Sequence, residues 1–170
     1  EAVKVAEFWD SIRPFACHRA GKPGRDMEAG LHYSWLAIED GVERSRGGRW
    51  LDHYLHLANI SRECWTAWQD TNDPVVKGCA QRFRSAQVYE LKDGRTIIGA
   101  VCDLERLPCP ARNAFLTTCG AIYCFEKAAE GAAFLGVDKE ESAEWRRLAA
   151  ALKRDLPKNS ERYLALEGYE

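Results

Sequence analysis

The chain lacks the long apolar run that a membrane-spanning helix requires. Its most apolar stretch, residues 114–125, is preceded by Arg112 and Asn113 and followed by Glu126 and Lys127. It therefore falls well short of the roughly 20 apolar residues of a membrane span. A strong charge is also lacking, because the net charge is −2. Binding to a nucleic acid would consequently need a local basic patch.

The cysteines lack the C-x-x-C spacing of zinc ribbons and of thioredoxin-type redox motifs. The chain has 7 of them, which is an odd number. Several lie in segments with a helical pattern, where a thiol behaves as a small apolar side chain. We therefore expect reduced core cysteines and a cytoplasmic location. No signal peptide is recognisable. The chain begins with Glu1 instead of Met, so removal of a leader is the alternative.

Catalytic motifs are lacking as well. The sequence contains no G-x-S-x-G, no G-x-G-x-x-G, no phosphate-binding loop and no EF-hand, so we predict no catalytic residue. What is present is an ordinary globular composition, with 170 residues, 46% of them hydrophobic and 6 of them tryptophan. We expect one domain over residues 1–170, with a loosely docked tail at 158–170.

The stretch at 111–135 is predicted to be the central helix of an α+β fold dominated by helices. Apolar residues cover most of its circumference, which is typical of a helix buried among other elements. Pro110 precedes it, at a position that suits the first turn of a helix.

Two β-hairpins are considered. The segment 87–103 has β-rich runs on both sides of Asp93-Gly94, which favours a type I′ turn. A second hairpin over about 31–46 is expected if 31–39 is extended, and a helical turn is the alternative there.

Four further helices follow from apolar periodicity and end signals. Residues 2–12 are expected to form a helix with one buried face, made of Val5, Phe8, Trp9 and Ile12. Residues 50–69 are expected to place Trp65 in the middle of a buried face. Residues 74–85 follow Asp73, and the last helix begins with a capping box at 138–141. The inward residues expected in these two helices are Val75, Val76, Cys79, Ala80 and Phe83 in the first, and Trp145, Leu148, Ala149, Leu152 and Leu156 in the second.

A basic connector, 43–50, is the first candidate binding site. It holds Arg44, Arg46, Arg49 and Trp50 around two glycines. Arginine can bind phosphates or carboxylates with two hydrogen bonds, and an exposed indole can stack on a base or anchor a protein interface. The alternative is that Trp50 simply begins the core face of its helix.

A metal site is the second candidate. His53 and His56 are three residues apart on the polar side of the long helix, and Glu63 lies two turns beyond His56. Imidazole and carboxylate groups are ligands of zinc. The alternative is that these are surface residues without a metal, since no H-E-x-x-H motif is present.

Two classes of function remain. The first is a small soluble intracellular binding protein, either regulatory, inhibitory or accessory. It would act on a protein partner, or on a nucleic acid through the basic connector. The second is a metal-dependent enzyme or metalloprotein that uses His53, His56 and Glu63 with zinc. The sequence indicates no oligomeric state.

Overall fold

The computed structural model describes residues 2–19, 54–68, 74–99, 101, 103 and 110–169. These ranges contain α1 (Ala2–Ser11), α2 (Arg13–Arg19), α3 (Leu55–Trp68), α4 (Pro74–Ala86), β1 (Val88–Glu90), β2 (Thr96–Ile98), α5 (Phe115–Leu135) and α6 (Lys139–Arg154). The predicted helix-dominated α+β class is confirmed. In the described ranges, no helix combines the length and the apolarity needed to cross a membrane. The hairpin considered over 31–46 lies outside them.

Helix α5 lies at the centre of the fold, as its apolar pattern predicts. It contacts α3, α4 and α6, and Ala121, Cys124 and Phe125 are fully buried. Gly120 and Ala128 are buried too, and such small side chains let neighbouring helices approach closely.

The predicted start of the central helix at 111 is wrong, because α5 begins at Phe115. Ala111 forms an isolated antiparallel bridge with Val101. Asn113 has a φ of 48°, a left-handed conformation that an α-helix does not contain. The Asn113 N–H donates to the Ile98 carbonyl at 2.9 Å. Ala111 and Asn113 are therefore hydrogen-bonded to Val101 and to β2, and the helix begins only after them.

The buried face of α3 differs from the predicted one near its end. Ile60, Ser61 and Cys64 are fully buried, whereas Trp65 is only half-buried. The Lys127 ammonium lies 4.7 Å from the centre of a Trp65 ring. Trp65 therefore lies at the rim between α3 and α5, and its placement in the middle of the face is wrong.

The predicted hairpin at 87–103 is confirmed, with shorter strands than expected. The Leu91 N–H donates to the Arg95 carbonyl at 2.8 Å and closes a three-residue loop. Gly94 has a φ of 84°, but Asp93 does not have a positive φ. The type I′ turn is therefore wrong, and the loop is of the kind that ends on a left-handed glycine.

The inward faces predicted for α4 and α6 are confirmed by burial. Five α4 side chains and four α6 side chains are buried, namely Val75, Val76, Cys79, Ala80, Phe83, Trp145, Leu148, Ala149 and Leu152. Leu156, the remaining residue of the predicted set, lies beyond the end of α6 and is partly buried against the core.

The capping box predicted at the start of α6 is wrong. Asp138 precedes the helix with a φ of 47°, and its side chain makes no capping hydrogen bond. The Asp138 carboxylate instead accepts a hydrogen bond from Lys77 Nζ at 2.7 Å. An ion pair with α4 has replaced the local cap.

The face predicted to be buried at the start of the chain is confirmed except at Val5. Ile12 is buried, and Phe8 and Trp9 are partly buried against the core, whereas Val5 is 38% exposed. Pro14 lies in the first turn of α2, where its missing N–H removes no helical hydrogen bond.

The C-terminal tail folds back onto the start of α5. The Phe115 N–H donates to the Ala165 carbonyl at 2.8 Å, and Leu166 is buried in the core. The tail thus supplies a backbone acceptor to the first turn of the central helix.

We expect Phe83→Ala to lower the free energy of unfolding by about 3–5 kcal/mol, because Phe83 is fully buried. Trp65→Ala should cost clearly less, because Trp65 is only half-buried. Denaturant titrations of both variants test this ranking. An equal or larger loss for Trp65→Ala would place Trp65 in the core after all.

The buried thiol of Cys124 should make the free energy of unfolding depend on pH in the alkaline range. Burial raises the pKa of Cys124 from its ordinary value of 9.0 to about 12. The unfolded chain therefore releases this proton first, and the stabilisation present below pH 9.0 is lost as the pH rises towards 12. The loss approaches about 1.4 kcal/mol per pH unit. Denaturant titrations at several alkaline pH values should show a shallower decline for Cys124→Ala, and equal declines would contradict this.

Candidate protein-interaction surfaces

The corner between α5 and α6 exposes three large apolar side chains. Phe134 is 78% exposed, Leu135 42% and Val137 46%. We call these three residues the apolar corner. Apolar side chains clustered in this way on a surface are typical of sites that bind other molecules.

The backbone of the corner is held in a defined turn. Gly136 has a φ of 70°, and its N–H donates to carbonyls of the last turn of α5. The Val137 N–H donates to the Ala132 carbonyl at 3.0 Å. This is the hydrogen-bond pattern of a Schellman motif, which ends a helix on a left-handed residue. The turn therefore presents the apolar corner in one arrangement.

An ion pair attaches the corner to α4. Lys77 Nζ lies 2.7 Å from Asp138 Oδ2 and 3.3 Å from Glu141 Oε2. Burial lowers the pKa of Lys77, but the hydrogen bond to Asp138 and the charge of Glu141 raise it by more, so the pKa lies above its ordinary value. Lys77 is therefore charged at neutral pH and holds the start of α6 in place.

The chemistry of the apolar corner is that of a binding surface. Its three side chains are hydrocarbons and offer neither a nucleophile nor a proton donor. They can lower the free energy of association by leaving water, at about 25 cal/mol per Å² of apolar surface.

The outer edge of β1 is a second candidate surface. The strands pair with Val88 opposite Ile98 and Glu90 opposite Thr96. The flanking hydrogen bonds, Gly99 N–H to the Gln87 carbonyl and Leu91 N–H to the Arg95 carbonyl, show which residues face β2. By alternation, the backbone groups of Val88 and Glu90 point away from β2.

The two edges of the hairpin differ in the hydrogen bonds that their outer backbone groups make. On the far side of β2, the Thr96 N–H donates to Asp155 at 2.8 Å and the Ile98 carbonyl accepts from Asn113 at 2.9 Å. On the far side of β1, the backbone groups of Val88 and Glu90 bond to no group in the described part of the chain. Among the described residues, the β2 edge of this hairpin is therefore hydrogen-bonded and the β1 edge is not.

A groove of about 430 Å³ lies between the hairpin and α6, and Arg147 and Arg154 line it. Arg147 binds Glu144 through Nε and Nη2 and reaches Glu90 at 2.6 Å. Arg154 binds Asp155 through the same two nitrogens. Because carboxylates already pair with both arginines, we interpret them as links within the protein.

The residues of the predicted metal site are only partly described. Trp9 contacts both described members: its Nε1 donates to Glu63 Oε2 at 2.8 Å, and its ring packs edge-on against His56 with 5.5 Å between centres. His53 lies outside the described residues. Within them, no cluster of three or more metal-ligating side chains is found. The zinc site stays a prediction.

The basic connector stays a prediction as well. Arg44, Arg46, Arg49 and Trp50 all lie outside the described residues. The sequence pattern does not indicate the apolar corner, because it predicts a buried central helix up to about 135 and marks no exposed apolar position near the end of that helix. Gly136 was the available signal, since glycine after an apolar helix marks its end.

The turn at the apolar corner predicts that alanine substitutions at two nearby glycines change the free energy of unfolding in opposite directions. Gly136→Ala should lower the free energy of unfolding by about 1 kcal/mol, because alanine is strained at a φ of 70°. Gly131→Ala should raise it by about 0.5–1 kcal/mol, because Gly131 is helical and, among the described residues, the added methyl would meet only Trp65, at 3.6 Å. Thermal and denaturant unfolding measure both, and equal signs would contradict the assigned turn.

Comparison with the models of known protein families and with curated proteins gives no match for this chain.

Proposed function

We propose that the protein is a small binding protein that recognises another protein through its apolar corner. The observation that carries this proposal is the exposure of Phe134, Leu135 and Val137 at one turn. Aromatic side chains such as that of Phe134 are enriched in protein interfaces relative to the rest of the surface.

The rigidity of the corner supports the proposal. A binding group that is already in its bound arrangement loses less conformational entropy on association. The Schellman turn at Gly136 and the ion pair between Lys77 and Asp138 supply such an arrangement. The expected partner therefore has an apolar pocket that accepts the Phe134 ring.

A protein partner suits the apolar corner better than a nucleic acid does. Affinity for a nucleic acid comes largely from cationic side chains on phosphates, and the corner consists of uncharged side chains. Nucleic-acid binding depends instead on Arg44, Arg46 and Arg49, and it stays a separate prediction. The proposal includes a regulatory or accessory role.

A cytoplasmic location is part of the same proposal. Cys64, Cys79, Cys119 and Cys124 are present as thiols. Burial raises the pKa of Cys119, and the charge of Asp103 raises it further, so this thiol is a weak nucleophile at neutral pH. Such cysteines suit a reducing compartment.

A photo-crosslinking amino acid at position 134 of the full chain, expressed in its native cells, should form a discrete adduct with the partner. With that partner purified, Phe134→Ser should weaken binding at least about thirtyfold, as for an aromatic residue at an interface centre. Calorimetry or interferometry gives the dissociation constants. The stability of the variant should be almost unchanged, because Phe134 is 78% exposed.

Phe15→Ser is the matched control. Phe15 is also an exposed phenylalanine, at 46%, but it lies on α2. Its substitution should leave the dissociation constant unchanged. If both variants bind as tightly as the wild type, the apolar corner is not the interface. If both weaken binding equally, the effect is not specific to the corner.

A further inference from the structure

The open edge of β1 carries a second, independent inference. It presents two N–H groups and two carbonyls, those of Val88 and Glu90, none of which bonds to another group in the described residues. We infer that two copies of the chain associate by pairing their β1 strands antiparallel across a two-fold axis.

The register of this pairing follows from the strand itself. With the axis at Tyr89, Val88 of one copy lies opposite Glu90 of the other. In an antiparallel pair of strands, two opposite residues whose backbone N–H and C=O groups face the other strand exchange two hydrogen bonds. The two symmetric pairs therefore form four hydrogen bonds, and the two hairpins become one four-stranded sheet. A two-fold interface must be self-complementary in this way.

The side chain of Tyr89 leaves the edge accessible. A Cβ added at Gly99 would lie 2.2 Å from Tyr89 Cε2, so the tyrosine ring lies over Gly99. The ring thus leans towards the β2 side of the hairpin and does not cover the outer edge of β1.

The charges beside the edge favour a second copy as the occupant. Glu90 and Glu144 are balanced by Arg84 and Arg147, so two like edges do not repel each other through net charge. Arg84 lies near the end of α4, which leads into the start of β1, and Glu90 ends the strand. In the antiparallel register, Val88 lies opposite Glu90 of the other copy, and Arg84 precedes Val88 by four residues. Opposite charges therefore lie at the same end of the interface, at both of its ends.

Glu90→Pro tests the pairing in the full chain. Proline removes the outward N–H of residue 90, and proline is tolerated on edge strands at such positions because the inward ladder bonds are kept. Glu90→Ala is the control, since it removes the carboxylate and keeps the N–H. In sedimentation equilibrium over a concentration series, we expect a reversible wild-type dimer and a monomeric Glu90→Pro variant. We expect Glu90→Ala to weaken the dimer by no more than about thirtyfold, because each dimer loses at most two exposed ion pairs.

Amide hydrogen exchange of the wild type tests the pairing without any variant. The exchange of the Val88 and Glu90 amides should slow as protein concentration rises. The Thr96 amide, which already bonds to Asp155, should exchange at a rate independent of concentration. A wild type that is monomeric throughout overturns the inference. So does a dimer in which Glu90→Pro, with its fold intact, associates as the wild type does. Capture of an extended peptide by this edge in a monomeric wild type would likewise replace the second copy with another occupant.

Discussion

The burial of α5 is the constraint on which the rest of the described structure depends. Helix α5 packs against α3, α4 and α6. Its small buried residues, such as Gly120, Ala121 and Cys124, allow these helices to approach closely. The same burial requires every polar group on the helix to find a partner within the protein. The Cys124 thiol illustrates this, since it donates to Ser61 Oγ at 3.2 Å, where α3 and α5 meet.

The two ends of α5 give rise to the two candidate surfaces. At the first end, Asn113 occupies a left-handed conformation and bonds to the Ile98 carbonyl on the β2 side of the hairpin, while the β1 side bonds to no described residue. At the other end, the helix ends at Leu135 and the chain turns at Gly136. Phe134, in the last turn of the helix, is exposed. Exposed groups in both places thus follow from the way in which a buried helix has to begin and end.

Sequence periodicity was a reliable guide where a helix has one buried face. The inward residues of α4 and α6, and the hairpin next to Gly94, could be named from the sequence because each depends on local spacing or local turn preference. Predictions failed where a distant partner decided the outcome. Asp138 has the right spacing for a capping box, but Lys77 lies close enough to bind its carboxylate. Trp65 has the hydrophobicity of a core residue, yet its place beside Lys127 depends on how α3 and α5 cross.

By itself, the sequence determined the secondary-structure class, the buried character of α5 and the inward residues of several helices. These properties follow from the period of apolar residues along the chain, which is a local quantity. Only the tertiary structure decided that Phe134 is exposed, that Trp9 bonds to Glu63, and that described residues bond to the β2 edge of the hairpin and not to its β1 edge. The reason is physical: solvent exposure and hydrogen-bond pairing depend on which distant segments come together, and residue spacing along one helix or strand does not contain that information.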